Sequence, residues 1–133
     1  MEKFTYMTEE ELKKQKAKEV AKTSLLKNSI TKDMYGVKIT IGLAPAILSE
    51  GESANILLDN TNSEVQVVLR RNGNMSFTRR KDSTVSLLYV AVLFGGIGCE
   101  SAAWAELHKH VTSRNFRKIA KEIFAILVAL GGE

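Results

Sequence analysis

The chain has 133 residues, 44% of them hydrophobic and 26% charged, with one proline; this excludes long disorder and leaves material for one ordinary core. A single cysteine, Cys99, excludes a disulfide framework and a cysteine-only zinc site. Nineteen lysines and arginines against fifteen acids give a net charge of +4, which permits an anionic partner without demanding one.

The N-terminal Met1–Phe4 has no basic stretch leading into an apolar run, so no signal peptide is read there. With a lone thiol, the expected location is cytoplasmic. Thr8 followed by Glu9, Glu10 and Glu11 reads as a capping box, opening a helix to about Asn28. Its apolar stripe (Leu12, Ala17, Val20, Ala21, Leu25, Leu26) is thin, so its first half is expected to be solvated or docked on a partner. From Tyr35 the period changes to two: Val37, Ile39, Ile41 and Leu43 alternate with Lys38, Thr40 and Gly42, as in a half-buried strand that Pro45 ends. A second strand is expected at 54–59, although Glu50–Asp59 also fits a short helix.

Residues 64–81 read as a hairpin turning at Asn72-Gly73-Asn74. A three-residue loop sets Leu69 opposite Phe77 and Val67 opposite Arg79. It gathers Val65, Val67, Leu69, Met75 and Phe77 on one face, leaving Gln66, Val68, Arg70, Ser76, Thr78 and Arg80 on the other.

No residue from Ser83 to Cys99 is charged, yet Ser83, Thr84, Ser86 and the glycines dilute the run, so it reads as buried core and not as a membrane span. Ser83 or Thr84 caps a helix through Phe94, Gly95-Gly96-Ile97-Gly98 breaks it, and a further helix is expected over 100–111. Thr112-Ser113 caps the last helix, whose Phe116, Ile119, Ala120, Ile123, Leu127 and Leu130 recur at helical spacing before Gly131-Gly132. The expected fold is α+β over a single domain, 1–133: an N-terminal helix (1–28), an antiparallel meander of three to four strands (35–81), and helices (83–131) on one sheet face.

The hairpin supplies the leading functional reading. Arg70, Arg71, Arg79, Arg80 and Lys81 sit on two chain-adjacent strands, with the hydroxyls of Ser76 and Thr78 beside Arg70 and Arg80. Guanidinium groups match phosphate oxygens bidentately, and a two-stranded ribbon fits a DNA major groove. The competing account is a solvated sheet face whose arginines blunt edge pairing. Lys14–Lys18–Lys22 reads as a solvated helix face, whereas Arg114–Arg117–Lys118–Lys121, at the start of the last helix, opposes the dipole and hints at an anion nearby. His108 and His110 are two apart, so on a helix they share no metal-binding side, and Cys99 lacks an identifiable catalytic surround.

The stretch Val92-Leu93-Phe94-Gly95-Gly96-Ile97-Gly98-Cys99-Glu100 is similar to the first motif of S-adenosylmethionine-dependent methyltransferases. That resemblance implies close backbone approach to a cofactor at a helix start. The residues after it read as helix and not as the further strands such a domain needs, so close packing is the better account of these glycines. The sequence therefore points to a small non-catalytic binding or regulatory protein whose basic hairpin engages nucleic acid or another phosphate-bearing ligand. The alternatives are an inhibitor or adaptor docking on a partner protein, and a nucleotide-like binder using Gly95–Glu100. No catalytic residue, cofactor, metal or membrane contact is assigned, and a homo-oligomer fits all three readings.

Overall fold

Thr8 acts as its spacing predicts: its hydroxyl accepts from the Glu11 N–H at 3.1 Å, and the Glu11 carboxylate accepts from the Thr8 N–H at 3.3 Å. This box opens α1 (Glu9–Lys27), in which only Ala21 and Leu25 are buried. The computed structural model describes residues 8–131. Met1–Phe4, Gly132 and the side chain of Leu130 lie outside the described residues.

A strand not read from the sequence follows. β1 (Ser29–Met34) pairs antiparallel with β2 (Val37–Leu43) through Tyr35-Gly36, whose φ values are +56° and +84°. β1 is an edge strand with no fully buried residue, so it shows no hydrophobic alternation. The strand expected at 54–59 is instead the middle of α2 (Glu50–Thr61), the helical alternative. Ser49 Oγ accepts from the Glu52 N–H at 3.0 Å, and the Glu52 carboxylate accepts from the Ser49 N–H at 3.1 Å. The Ser-x-x-Glu spacing carried that signal, but Gly51 inside the first turn obscured it.

After α2 the chain enters β3 (Val65–Leu69), which runs parallel to β2, and returns as β4 (Asn74–Arg79). The loop is Arg71-Asn72-Gly73, closed by Arg70 N–H donating to the Asn74 carbonyl at 2.9 Å. Leu69 therefore faces Met75, and Val67 faces Phe77. The pairing lies two residues from the expected register, an even shift that leaves every side chain on its expected face. α3 (Leu87–Leu93) starts later than expected, because Ser83 Oγ is engaged with the Glu64 carboxylate at 2.5 Å.

The helix expected over 100–111 does not form. Those residues hold β6 (Ala102–Glu106), preceded by the short β5 (Ile97–Gly98). Helix-favouring alanines override their propensity because Ala103 and Ala105 bury on alternate positions against the core. Finally, α4 (Phe116–Gly131) follows a turn in which Asn115 Oδ1 accepts from the Thr112 N–H at 2.7 Å.

The sheet has six strands in the order β1-β2-β3-β4-β6-β5, mixed and not a meander. Helices cover both faces, not one. On the first face Ile41, Val67, Leu69, Met75 and Phe77 pack under α3 and α4, which contribute Leu87, Val90, Phe116 and Ile123. On the second, Val68 packs with Leu25 of α1 and Ala54 and Leu57 of α2. Each fully buried leucine, isoleucine or phenylalanine contributes about 1.5–3 kcal/mol. No helix among the described residues is long and apolar enough to cross a membrane.

Two predictions test this packing. A Cβ on Gly42 of β2 would stand 2.8 Å from Leu25 Cδ1 and 3.0 Å from Leu57 Cδ2. Gly42→Val is expected to lower unfolding stability by about 1–3 kcal/mol, read from the urea midpoint; an unmoved midpoint would show that α1 and α2 do not close over β2. The Glu52 carboxylate is lowered from its ordinary 4.5 to about 2, chiefly by the Ser49 backbone N–H and next by Lys18, whose Nζ donates to it at 2.9 Å. A depressed carboxylate contributes stability that is complete above pH 4.5 and is lost as pH falls toward 2. In Glu52→Gln, the stability-against-pH curve should flatten over that window; an unchanged acid limb would contradict the cap-and-bridge arrangement.

Candidate functional site

The five cations of the hairpin do not converge. Arg70 and Arg71 stand at its turn, whereas Arg79, Arg80 and Lys81 stand at its open end. β4, from Asn74 after the turn to Arg79 at the open end, spans roughly 17 Å at strand rise. Most of these side chains also serve the fold. Arg70 donates to the Pro45 carbonyl at 2.9 Å and the Leu48 carbonyl at 2.7 Å, clamping the connection into α2. Arg79 donates to the Val85 carbonyl at 2.6 Å. Arg80 donates to the Asp82 carboxylate at 2.5 Å and to the Asn62 carbonyl at 3.1 Å, and Asp82 in turn raises the Arg80 pKa.

Nor is the polar face solvated. Gln66 and Ser76 are buried, and Thr78 is partly buried with its hydroxyl donating to Gln66 Oε1 at 3.2 Å. Ser76 Oγ is buried without a partner. Only Arg71 and Lys81 of the five remain exposed cations with no carboxylate bridged to them among the described residues.

Arg71 is held by its backbone, which frees its side chain. Its carbonyl accepts from the Val111 N–H at 2.7 Å, and the neighbouring Gly73 carbonyl accepts from the Leu107 N–H at 2.9 Å. Gly73 must be glycine: its φ is +89°, and a Cβ would stand 2.5 Å from the Lys109 carbonyl oxygen.

Two adjoining cavities open beside this loop. One, of about 560 Å³, is lined by Pro45, Glu50, Arg70, Arg71, Asn72 and Asn74. The other, of about 380 Å³, also takes in Glu50 and Asn74 and reaches Gly96, Trp104, Glu106 and His108. Joined at Glu50 and Asn74, they form a groove whose larger half lies at the carboxyl ends of β2 and β3, where open sheets with parallel strands hold ligands, and whose smaller half runs past β4 to β6.

The glycine turn lies along this groove but does not open a helix. Gly96 N–H donates to the Ala91 carbonyl at 2.8 Å, and the chain passes into the β5–β6 hairpin. A Cβ at Gly96 would collide with the Trp104 carbonyl, so backbone packing accounts for that glycine, and the cofactor-turn resemblance fails on the missing helix. Cys99 is exposed in the β5–β6 turn, its thiol lowered mainly by a hydrogen bond with Ser101, at 3.6 Å. His108 and His110 lie in the loop after β6 and not on a helix; His108, at φ +56°, places Nδ1 3.6 Å from the Glu106 carboxylate. Among the described residues no three His, Cys, Asp or Glu side chains come together to hold a metal ion.

No protein-family model matches the chain, and no curated protein matches it. Solved structures do share the fold. An exopolyphosphatase-related protein from Bacteroides fragilis aligns with 97% of this chain at 18% identity and a TM-score of 0.56. A pGpG-specific phosphodiesterase from Vibrio cholerae aligns with 88% at 11% identity and a TM-score of 0.55. The DHH domain of a member of a family of ribosomal proteins aligns with 86% at 11% identity and a TM-score of 0.56. The chain spans 38%, 41% and 31% of those three chains. The fold therefore recurs as a segment of an exopolyphosphatase-related protein and of a pGpG-specific phosphodiesterase, which counts against the expectation of a small non-catalytic binding or regulatory protein.

Proposed function

We propose that this chain takes part in phosphoester cleavage, and that the groove at the carboxyl ends of β2 and β3 is where its substrate lies. The observation that carries this reading is the placement of Arg71: an exposed guanidinium on a backbone-anchored loop, at the rim of that groove. A guanidinium presents paired N–H donors to phosphate oxygens, and a loop held at both ends loses little freedom on binding. The fold likeness to an exopolyphosphatase-related protein and to a pGpG-specific phosphodiesterase supports a phosphate-bearing substrate. Asn72 and Asn74 add neutral donors beside Arg71. Arg70, already engaged with two carbonyls, holds the groove's wall and leaves the phosphate to Arg71. No bond-breaking step is assigned to the described residues.

Calorimetric titration of the full chain with inorganic tripolyphosphate tests this reading. Binding should weaken with added salt, and Arg71→Ala should weaken it about tenfold or more and flatten the salt slope. Lys81→Ala, at the other end of the hairpin, should leave it unchanged. No binding, or equal losses in the two variants, would overturn the proposal. Stability separates the two adjacent arginines: Arg70→Ala should cost about 1–3 kcal/mol by stranding two carbonyls, while Arg71→Ala stays within about 0.5 kcal/mol, both read by thermal unfolding.

A further inference from the structure

The two halves of the groove differ in chemistry, and that difference orients whatever lies in them. The larger cavity carries Arg70 and Arg71. The smaller carries no lysine or arginine; Glu106 and the partly exposed Trp104 line it and not the larger one, and Glu50 lines both. With Glu106 beside it and no cation to offset the charge, a phosphate is disfavoured there. An aromatic heterocycle is not: its face stacks on an indole, and its ring or exocyclic N–H groups donate to carboxylate and amide oxygens.

Trp104 is placed for such a role. It alternates along β6 with Ala103 and Ala105, which bury on the α3–α4 side, so it projects to the other face. There α1 and α2 pack over β2 and β3 and leave the indole 45% exposed. Its cross-strand neighbours are Ser76 on β4 and Ile97 on β5. Asn74 and Glu50 line both cavities and so stand where the two halves meet.

We infer that Trp104 is the stacking shelf for a heterocyclic base, that Glu106 and Asn74 meet the polar edge of that base, and that the attached phosphate reaches Arg71. The ligand class is then a nucleoside phosphate, in preference to a chain of bare phosphates. The inference rests on the reading of the groove given above and adds a specificity-determining residue to it.

The chain contains one tryptophan, so indole emission, excited beyond the tyrosine absorption band, reports on this shelf alone. The full chain is titrated with GMP and, separately, with tripolyphosphate, following emission and heat together. GMP should quench the emission saturably, and tripolyphosphate should bind while leaving it unchanged. Trp104→Leu, followed by calorimetry, should weaken GMP binding about tenfold, in line with the loss of one base–aromatic stack, and leave tripolyphosphate binding as it was. Trp104→Phe should retain most of the GMP affinity, and circular dichroism should show both variants folded. Binding of GMP without quenching, or with an affinity indifferent to Trp104→Leu, overturns the stacking inference; the substrate groove survives if Arg71→Ala still weakens tripolyphosphate binding. Failure of both ligands to bind overturns the groove itself.

Discussion

Two neighbouring strands that run the same way cannot be joined by a tight turn, and the β2–β3 pair imposes this constraint on the whole fold. The chain must leave the carboxyl end of β2, cross one face of the sheet and re-enter at the start of β3. α2 is that crossing. It brings Ala54 and Leu57 down onto Val68, and α1 closes beside it through Leu25. A face that alternation marks as polar is thereby placed indoors.

Burying that face requires partners for its polar groups, and the crossing helix supplies them. Thr61 Oγ1, in the last turn of α2, donates to the Leu57 carbonyl at 2.6 Å and stands 3.0 Å from Thr40 Oγ1 and 2.9 Å from Ser63 Oγ. Gln66 Nε2 donates to the Ser63 carbonyl at 2.7 Å, and Thr31 Oγ1 lies 2.9 Å from Thr40 Oγ1. A buried amide or hydroxyl left unmatched costs about 1–3 kcal/mol, so this run of hydroxyls is what makes a covered polar face tolerable. Arg70 works in the same way at the other end of β3, ending on two carbonyls of the connection into α2.

The same crossing makes the groove. Parallel strands leave their carboxyl ends side by side, and the connections into and out of α2 diverge there, opening a crevice between Pro45 and the hairpin turn. β6 extends the crevice sideways to Trp104. Arg71 and Trp104, at opposite ends of it, come from a hairpin loop and an outer strand; neither element is next to the other in sequence.

Local signals in the sequence sufficed for several elements. The Thr8–Glu11 box, the strand at Val37–Leu43, the division of the hairpin into an apolar and a polar face, and the helical spacing from Phe116 each depend on residues a few positions apart, and each stands in the structure, although β2 is buried on both faces from Ile39 to Leu43 and not half-buried as its alternation implied. The α+β class follows from them. In the sequence Arg71 is one cation among five, and nothing local sets it apart. Tertiary structure decided the rest, because the deciding contacts are distant in the chain. Whether 54–59 became strand or helix depended on β2 needing a parallel partner. Whether alanine-rich 102–106 became helix or strand depended on the free edge of β4. Which arginines remained free depended on carbonyls at Pro45, Leu48, Asn62 and Val85. Charge along a strand is a property of composition; its availability to a ligand is a property of what packs against it.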